Sequence, residues 1–181
     1  MVMNLKNSLK TAVGGLCASL SVVLMFIGGT LSVLAYAVPM LLGLLMFMIK
    51  KTFGTRCAVG VYISVSLLSF LLVPDKECVL MYALFFGYYP IIKASIEKIK
   101  IKPLVYIAKF LVFNACITVA ELISFYVFGI PFFDDGEFSS WLILAFAFMM
   151  NALFVLYDLM LGAFLKLYEL KLEKQIKKLF K

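Results

Sequence analysis

Two carboxylates lie inside long apolar stretches. Glu121 and Asp158 each interrupt a run of hydrophobic residues with no other acid nearby. A carboxylate at the depth of a hydrocarbon layer costs roughly 2.5–3.5 kcal/mol to insert, so it faces a bundle interior, a partner or a water-filled cavity. Counted from Leu104 along a helix, Glu121 lies about 25 Å in. Counted from Ser139, Asp158 lies about 28 Å in. The two stretches run in opposite directions, so the carboxylates belong to opposite halves and are expected to serve separate sites. Lys109 falls in the same half as Asp158 and is its expected partner in an inner ion pair. Glu121 has no cation at its own depth. Two roles stay open for it, an interior hydrogen bond and contact with a ligand, and a cationic ligand would suit the second.

Neutral polar residues accompany these charges. Asn114, Thr118 and Glu121 recur at helical spacing and form one stripe. Asn151 sits near the middle of the following apolar stretch. Side-chain amides at that depth either join helices or read a polar ligand. The expected site is a small polar cavity with Glu121 on its wall, Thr118 along the same stripe, and Asn114 or Asn151 nearer its floor.

Other chemistry is excluded by composition. The chain has no histidine, which removes HExxH metalloproteases, Ser-His triads and Cys-His dyads. Cys17, Cys57, Cys78 and Cys116 are far apart, with no CxxC spacing. They are expected to be small apolar fillers, with no metal site and no cofactor. Gly14-Gly15 and Gly28-Gly29 lack the spacing of a phosphate-binding loop. The chain carries no ATPase of its own, and the expectation is a transport protein rather than an enzyme.

The elements that position these groups follow from hydropathy. The 181 residues are 65% hydrophobic and the mean hydropathy is +1.08, beyond what a soluble core of this size could use. No charge occurs between Lys10 and Lys50. About 20 residues of helix cross a bilayer core, and the pattern predicts six spans in a single all-α membrane domain. The expected spans are 11–27, 31–49, 57–73, 78–92, 104–128 and 139–165. Gly28-Gly29-Thr30 is the expected turn between the first two. Pro39 is expected to kink the second, and Gly87-Tyr88-Tyr89-Pro90 to break the fourth, with Tyr88 and Tyr89 at the interface. Leu165, Leu172 and Leu179 recur every seven residues, so 166–181 is expected to continue as a cytoplasmic helical tail.

Placing the connections alternately sorts the charges. All Lys and Arg except Lys76 and Lys109 fall on one side, and Asp75, Glu77, Asp134, Asp135 and Glu137 fall on the other. Lys/Arg bias sets orientation, so both termini are expected in the cytoplasm and the protein in the cell membrane. The net charge of +7 is then a topology signal, with no soluble basic face for nucleic acid.

Span one carries Gly14 and Ala18, and Gly15 and Ser19, each pair four apart. Small residues so spaced let another helix approach closely. The segment 10–20, the six short spans and Gly87-Tyr88-Tyr89-Pro90-Ile91-Ile92-Lys93 before a basic loop resemble the substrate-binding S component of energy-coupling factor (ECF) vitamin transporters, over roughly 11–165. The resemblance implies a vitamin-like substrate bound from outside, a transmembrane coupling subunit and two cytoplasmic ATPases. It also implies docking through span one, where the family carries an Ala-xxx-Ala pattern and this chain offers Gly14, Gly15, Ala18 and Ser19. A stand-alone small permease and a non-transporting membrane scaffold are the alternative readings.

Overall fold

The computed structural model describes residues 2–31, 34–129 and 140–168. These form helices α1 (Val2–Thr30), α2 (Ala37–Phe53), α3 (Thr55–Leu72), α4 (Lys76–Met81), α5 (Tyr89–Ile96), α6 (Lys102–Phe128) and α7 (Ser140–Leu167), with a π-helical turn, Tyr82–Phe86, between α4 and α5. No strand occurs among the described residues. The expected acidic connection bearing Asp134, Asp135 and Glu137, and nearly all of the expected tail, lie outside them.

Five segments are long and apolar enough to cross a membrane: Ser8–Thr30, Thr55–Leu72, Lys76–Ile96, Lys102–Phe128 and Ile143–Leu167. The chain is therefore an all-helical protein of multi-pass membrane character. Its outward faces are apolar, with Leu16, Leu71, Tyr126, Phe148 and Trp141 all strongly exposed. A water-facing bundle would not present so much contiguous hydrophobic surface.

Helix α2 has 17 residues, about 25 Å of rise, and is shorter than the other five. Contacts fix its course. Tyr36, just before it, donates to Glu77 Oε1 at 3.4 Å, and Lys50, near its end, donates to the Ile91 carbonyl at 2.6 Å. Similar links sort the other ends. Cys57 Sγ lies 4.0 Å from the Lys10 carbonyl, and Thr52 and Tyr168 share a hydroxyl contact of 2.8 Å. At the opposite end, the Phe70 and Phe128 rings are 6.2 Å apart. The molecule thus has a basic end, with Lys10, Lys50 and Arg56, and an acidic end, with Asp75 and Glu77.

Three local expectations give way to different geometry. The Gly28-Gly29-Thr30 turn does not form, and α1 runs through it to Thr30. A Cβ on Gly28 would lie 2.7 Å from Val38 Cγ2, and one on Gly29 3.0 Å from Asp75 Cβ. These glycines are packing points where α1 meets α2 and the connection before α4. Pro39 falls in the first turn of α2, where its missing N–H has no intrahelical acceptor and no kink is required. Tyr89 is wholly buried rather than interfacial.

The break in the fourth span does occur, as a wide turn followed by a proline start. The Gly87 N–H donates five residues back to the Tyr82 carbonyl at 2.8 Å, and Pro90 sits in the first turn of α5. Broken backbone at membrane depth must find other partners. Tyr62 of α3 donates to the Ala83 carbonyl at 2.6 Å, and Tyr157 of α7 to the Phe86 carbonyl at 3.3 Å. Asp75 caps α4 in a similar spirit: its Oδ1 accepts from the Glu77 N–H at 2.9 Å and the Cys78 N–H at 3.1 Å.

Two apolar cores flank α2. One joins α1, α2 and α3 through Val22, Met25, Leu42, Met46, Val61 and Val65. The other is aromatic and joins the broken span to α6 and α7. Phe113 and Phe154 stack at 4.6 Å, and Phe85 and Tyr89 at 4.7 Å.

Candidate functional site

Toward the basic end, four charges converge on α7. Asp158 Oδ2 accepts from Lys109 at 2.9 Å. Its Oδ1 accepts from Lys93 at 2.6 Å and from the Tyr89 hydroxyl at 2.7 Å. Lys109 also donates to Glu97 Oε1 at 2.8 Å, and Lys93 to the Asp158 carbonyl at 2.8 Å. The exposures of Lys93 and Lys109 are 7% and 5%. Two lysines thus meet two carboxylates with no net charge, and both carboxylate oxygens of Asp158 accept from α5 or α6. That arrangement locks three helices together and leaves little capacity for a ligand. The sequence sets Tyr89 at the interface and Lys93 before a basic loop, and assigns neither of them nor Glu97 to a site. The Lys93–Glu97 spacing of one helical turn was the available signal.

At mid-length, Asn114 and Asn151 face each other across α6 and α7. Each Nδ2 donates to the other's Oδ1, at 3.0 and 3.1 Å. Their second N–H groups go to the carbonyls of Phe110, 2.9 Å, and Ala147, 2.8 Å. All four amide donors are consumed inside the protein. The pair is a clasp between helices, of the kind worth about 0.6–2 kcal/mol in membranes, and it does not form a cavity floor. Thr118 is exposed, so the stripe Asn114, Thr118, Glu121 does not line one enclosed space.

Toward the acidic end the situation reverses. Glu121 Oε1 is buried and has no hydrogen-bond partner. The Ser124 hydroxyl, three residues on and 3% exposed, is likewise unpartnered. Glu77 lies close enough to Glu121 for the two carboxylates to repel, and the Tyr36 hydroxyl donates to Glu77. Burial, and then Glu77 and Glu121, push the Tyr36 phenol above its ordinary value, so it remains a protonated donor. Two carboxylates therefore share one phenol donor, which goes to Glu77, and the Ser124 hydroxyl lies one helical turn beyond Glu121 on α6. The sequence assigns Glu77 to the connection before the fourth span and Tyr36 to the second span, 31–49; the structure places Glu77 in the first turn of α4 and Tyr36 in the turn before α2. Only the fold brings them beside α6.

The four small residues of α1 divide between two rows. Gly14 and Ala18 are buried, and a Cβ on Gly14 would lie 3.2 Å from Val61 of α3. Gly15 and Ser19 face outward, and Ser19 returns its hydroxyl to the Gly15 carbonyl at 3.0 Å. No set of three or more His, Cys, Asp or Glu among the described residues is placed to hold a metal ion, and the four cysteines are unbridged. No protein-family profile, curated protein or solved structure matches the chain.

Proposed function

We propose that the protein captures a small, polar, cationic solute at the Glu121 end and carries it across the membrane. In this role it is the substrate-binding subunit of an ATP-driven transporter of the ECF type. The observation that carries the proposal is the buried Glu121 Oε1 without a hydrogen-bond partner. A buried polar group left unpaired is costly, and a ligand ammonium would supply the missing donors. Glu77 adds a second negative charge, and the Tyr36 hydroxyl, whose proton goes to Glu77, leaves its oxygen as an acceptor for the polar remainder of the solute. The locked Lys93–Asp158–Lys109 cluster closes the other half.

In this scheme α2 is the sixth crossing, since it runs between the same two ends as its longer neighbours. The basic end faces the cytoplasm by the bias of Lys and Arg, both termini are cytoplasmic, and the protein resides in the cell membrane. A coupling subunit and two ATPases supply the energy that this chain has no residues to harvest. Of the small-residue rows on α1, Gly14–Ala18 is covered by α3 and is closed to that subunit.

Mild extraction followed by mass spectrometry of retained solutes and subunits tests the scheme. The wild-type protein should retain an amine-bearing solute, and Glu121→Gln should weaken that retention by about tenfold or more at unchanged thermal stability. Equal retention by a folded Glu121→Gln protein would return Glu121 to a structural role. Flux into liposomes without ATP would point to a stand-alone permease, and the absence of any retained solute to a scaffold.

A further inference from the structure

Lys10 on α1 and Arg56 on α3 flank one groove of about 520 Å³ at the basic end. Four lysines of the bundle have internal acceptors. Lys93 and Lys109 meet Asp158 and Glu97, Lys50 donates to the Ile91 carbonyl, and Lys76 to the carbonyls of Phe70 and Val73. Lys10 and Arg56 are exposed and form no ion pair among the described residues.

The groove below them is built from absent side chains. A Cβ on Gly14 would nearly touch Val61, so α1 and α3 close together there and make a floor. A Cβ on Gly15 or Gly60 would meet nothing within 4 Å, so the walls stay open to the lipid-facing side. Ala18 extends the channel away from the cations.

We infer that this groove binds an anionic phospholipid, with the headgroup phosphate between Lys10 and Arg56 and an acyl chain along Gly15 and Gly60. Charge complementarity selects the occupant. A passing helix would fit small residues alone, but it would leave two cations unneutralised at the mouth. A phosphodiester answers both, and the Arg56 guanidinium can grip two of its oxygens. Basic recesses between membrane helices hold anionic headgroups in this manner. The inference does not depend on the solute-uptake scheme, because the groove lies at the end opposite Glu121.

Native mass spectrometry of the full chain, titrated with phosphatidylglycerol or phosphatidylcholine, tests it. The wild-type protein should retain phosphatidylglycerol in preference to phosphatidylcholine. Lys10→Gln with Arg56→Gln should reduce that retention about thirtyfold, and each single variant about fivefold. Gly60→Leu keeps both cations and fills the groove, and it should also reduce retention. Deacylated glycerophosphoglycerol should fail to compete, because it has no chain for the groove. Equal retention of the two lipids by wild type, undiminished retention in the folded charge variants or in Gly60→Leu, or effective competition by the deacylated headgroup would each overturn the proposal. Thermal unfolding of each variant establishes that it is folded. The single charge variants are surface changes that keep the test available if the double variant is not.

Discussion

Asp158 and Glu121 are chemically alike and are treated in opposite ways. Asp158 receives Lys93, Lys109 and Tyr89, and its charge is neutralised by short contacts from α5 and α6. Removing its charge leaves Lys93 and Lys109 buried with only Glu97 to share. Breaking a buried ion pair on one side costs about 3–5 kcal/mol, so Asp158→Asn should destabilise the bundle by that order. Tyr89→Phe removes one hydrogen bond to a charged group, about 1.5–3 kcal/mol, and should be milder. Thermal unfolding in detergent of the two variants checks the ranking, and an Asp158→Asn protein as stable as wild type would refute the lock. Glu121 lacks such donors, which is why its substitution is expected to act on a ligand rather than on the fold. The Asn114–Asn151 clasp belongs with Asp158: its hydrogen-bonding capacity is turned inward.

At the scale of elements, the broken fourth span organises its neighbours. The π-helical turn frees carbonyls that Tyr62 and Tyr157 take up, and α2 packs directly against the Tyr157–Phe86 bond. Gly43 of α2 allows this. A Cβ there would collide with the Tyr157 hydroxyl and lie 2.7 Å from the Phe86 carbonyl. Overpacking of this kind costs about 1–3 kcal/mol. Gly43→Ala should therefore lower the unfolding midpoint, while Gly60→Ala, which meets open space, should leave it unchanged or raise it. Equal midpoints for both variants would show that the close approach of α2, α7 and the π-helical turn contributes nothing.

At the scale of the molecule, α2 connects the two cores. Leu42 and Met46 pack into the first, and Phe47 into the second. A central helix surrounded by protein does not need the full length of a lipid-exposed span, which suits its 17 residues. Sidedness is the corresponding prediction. Epitope tags inserted at Lys98 and at Pro74 should be reached from opposite faces of the membrane, with Lys98 on the cytoplasmic face. Protection of both tags from the same face would end the alternating scheme.

The sequence by itself determined that the chain is helical and of membrane character, because apolar runs and charge spacing are local properties of the chain. It placed the break near Pro90, where a missing N–H disfavours the interior of a helix, but the same rule misplaced a kink at Pro39, which falls in the first turn of α2. It identified Lys109 and Asp158 as a possible pair because both charges needed relief at similar depth. Only the tertiary structure decided what depends on a neighbour. Gly28 and Gly29 suit a turn and a close helix crossing for the same reason, the absence of Cβ, and the approach of Val38 and Asp75 selects the crossing. Gly14 and Gly15 are adjacent in sequence, yet α3 covers one and leaves the other open. Asn114 and Asn151 were equally suited to a ligand or to each other until α6 and α7 brought their amides into reach. Lys93 looked like a boundary charge until the fold carried Asp158 to it. Glu121 was left without a donor by that same folding, because the lysines of the bundle interior were gathered at the opposite end.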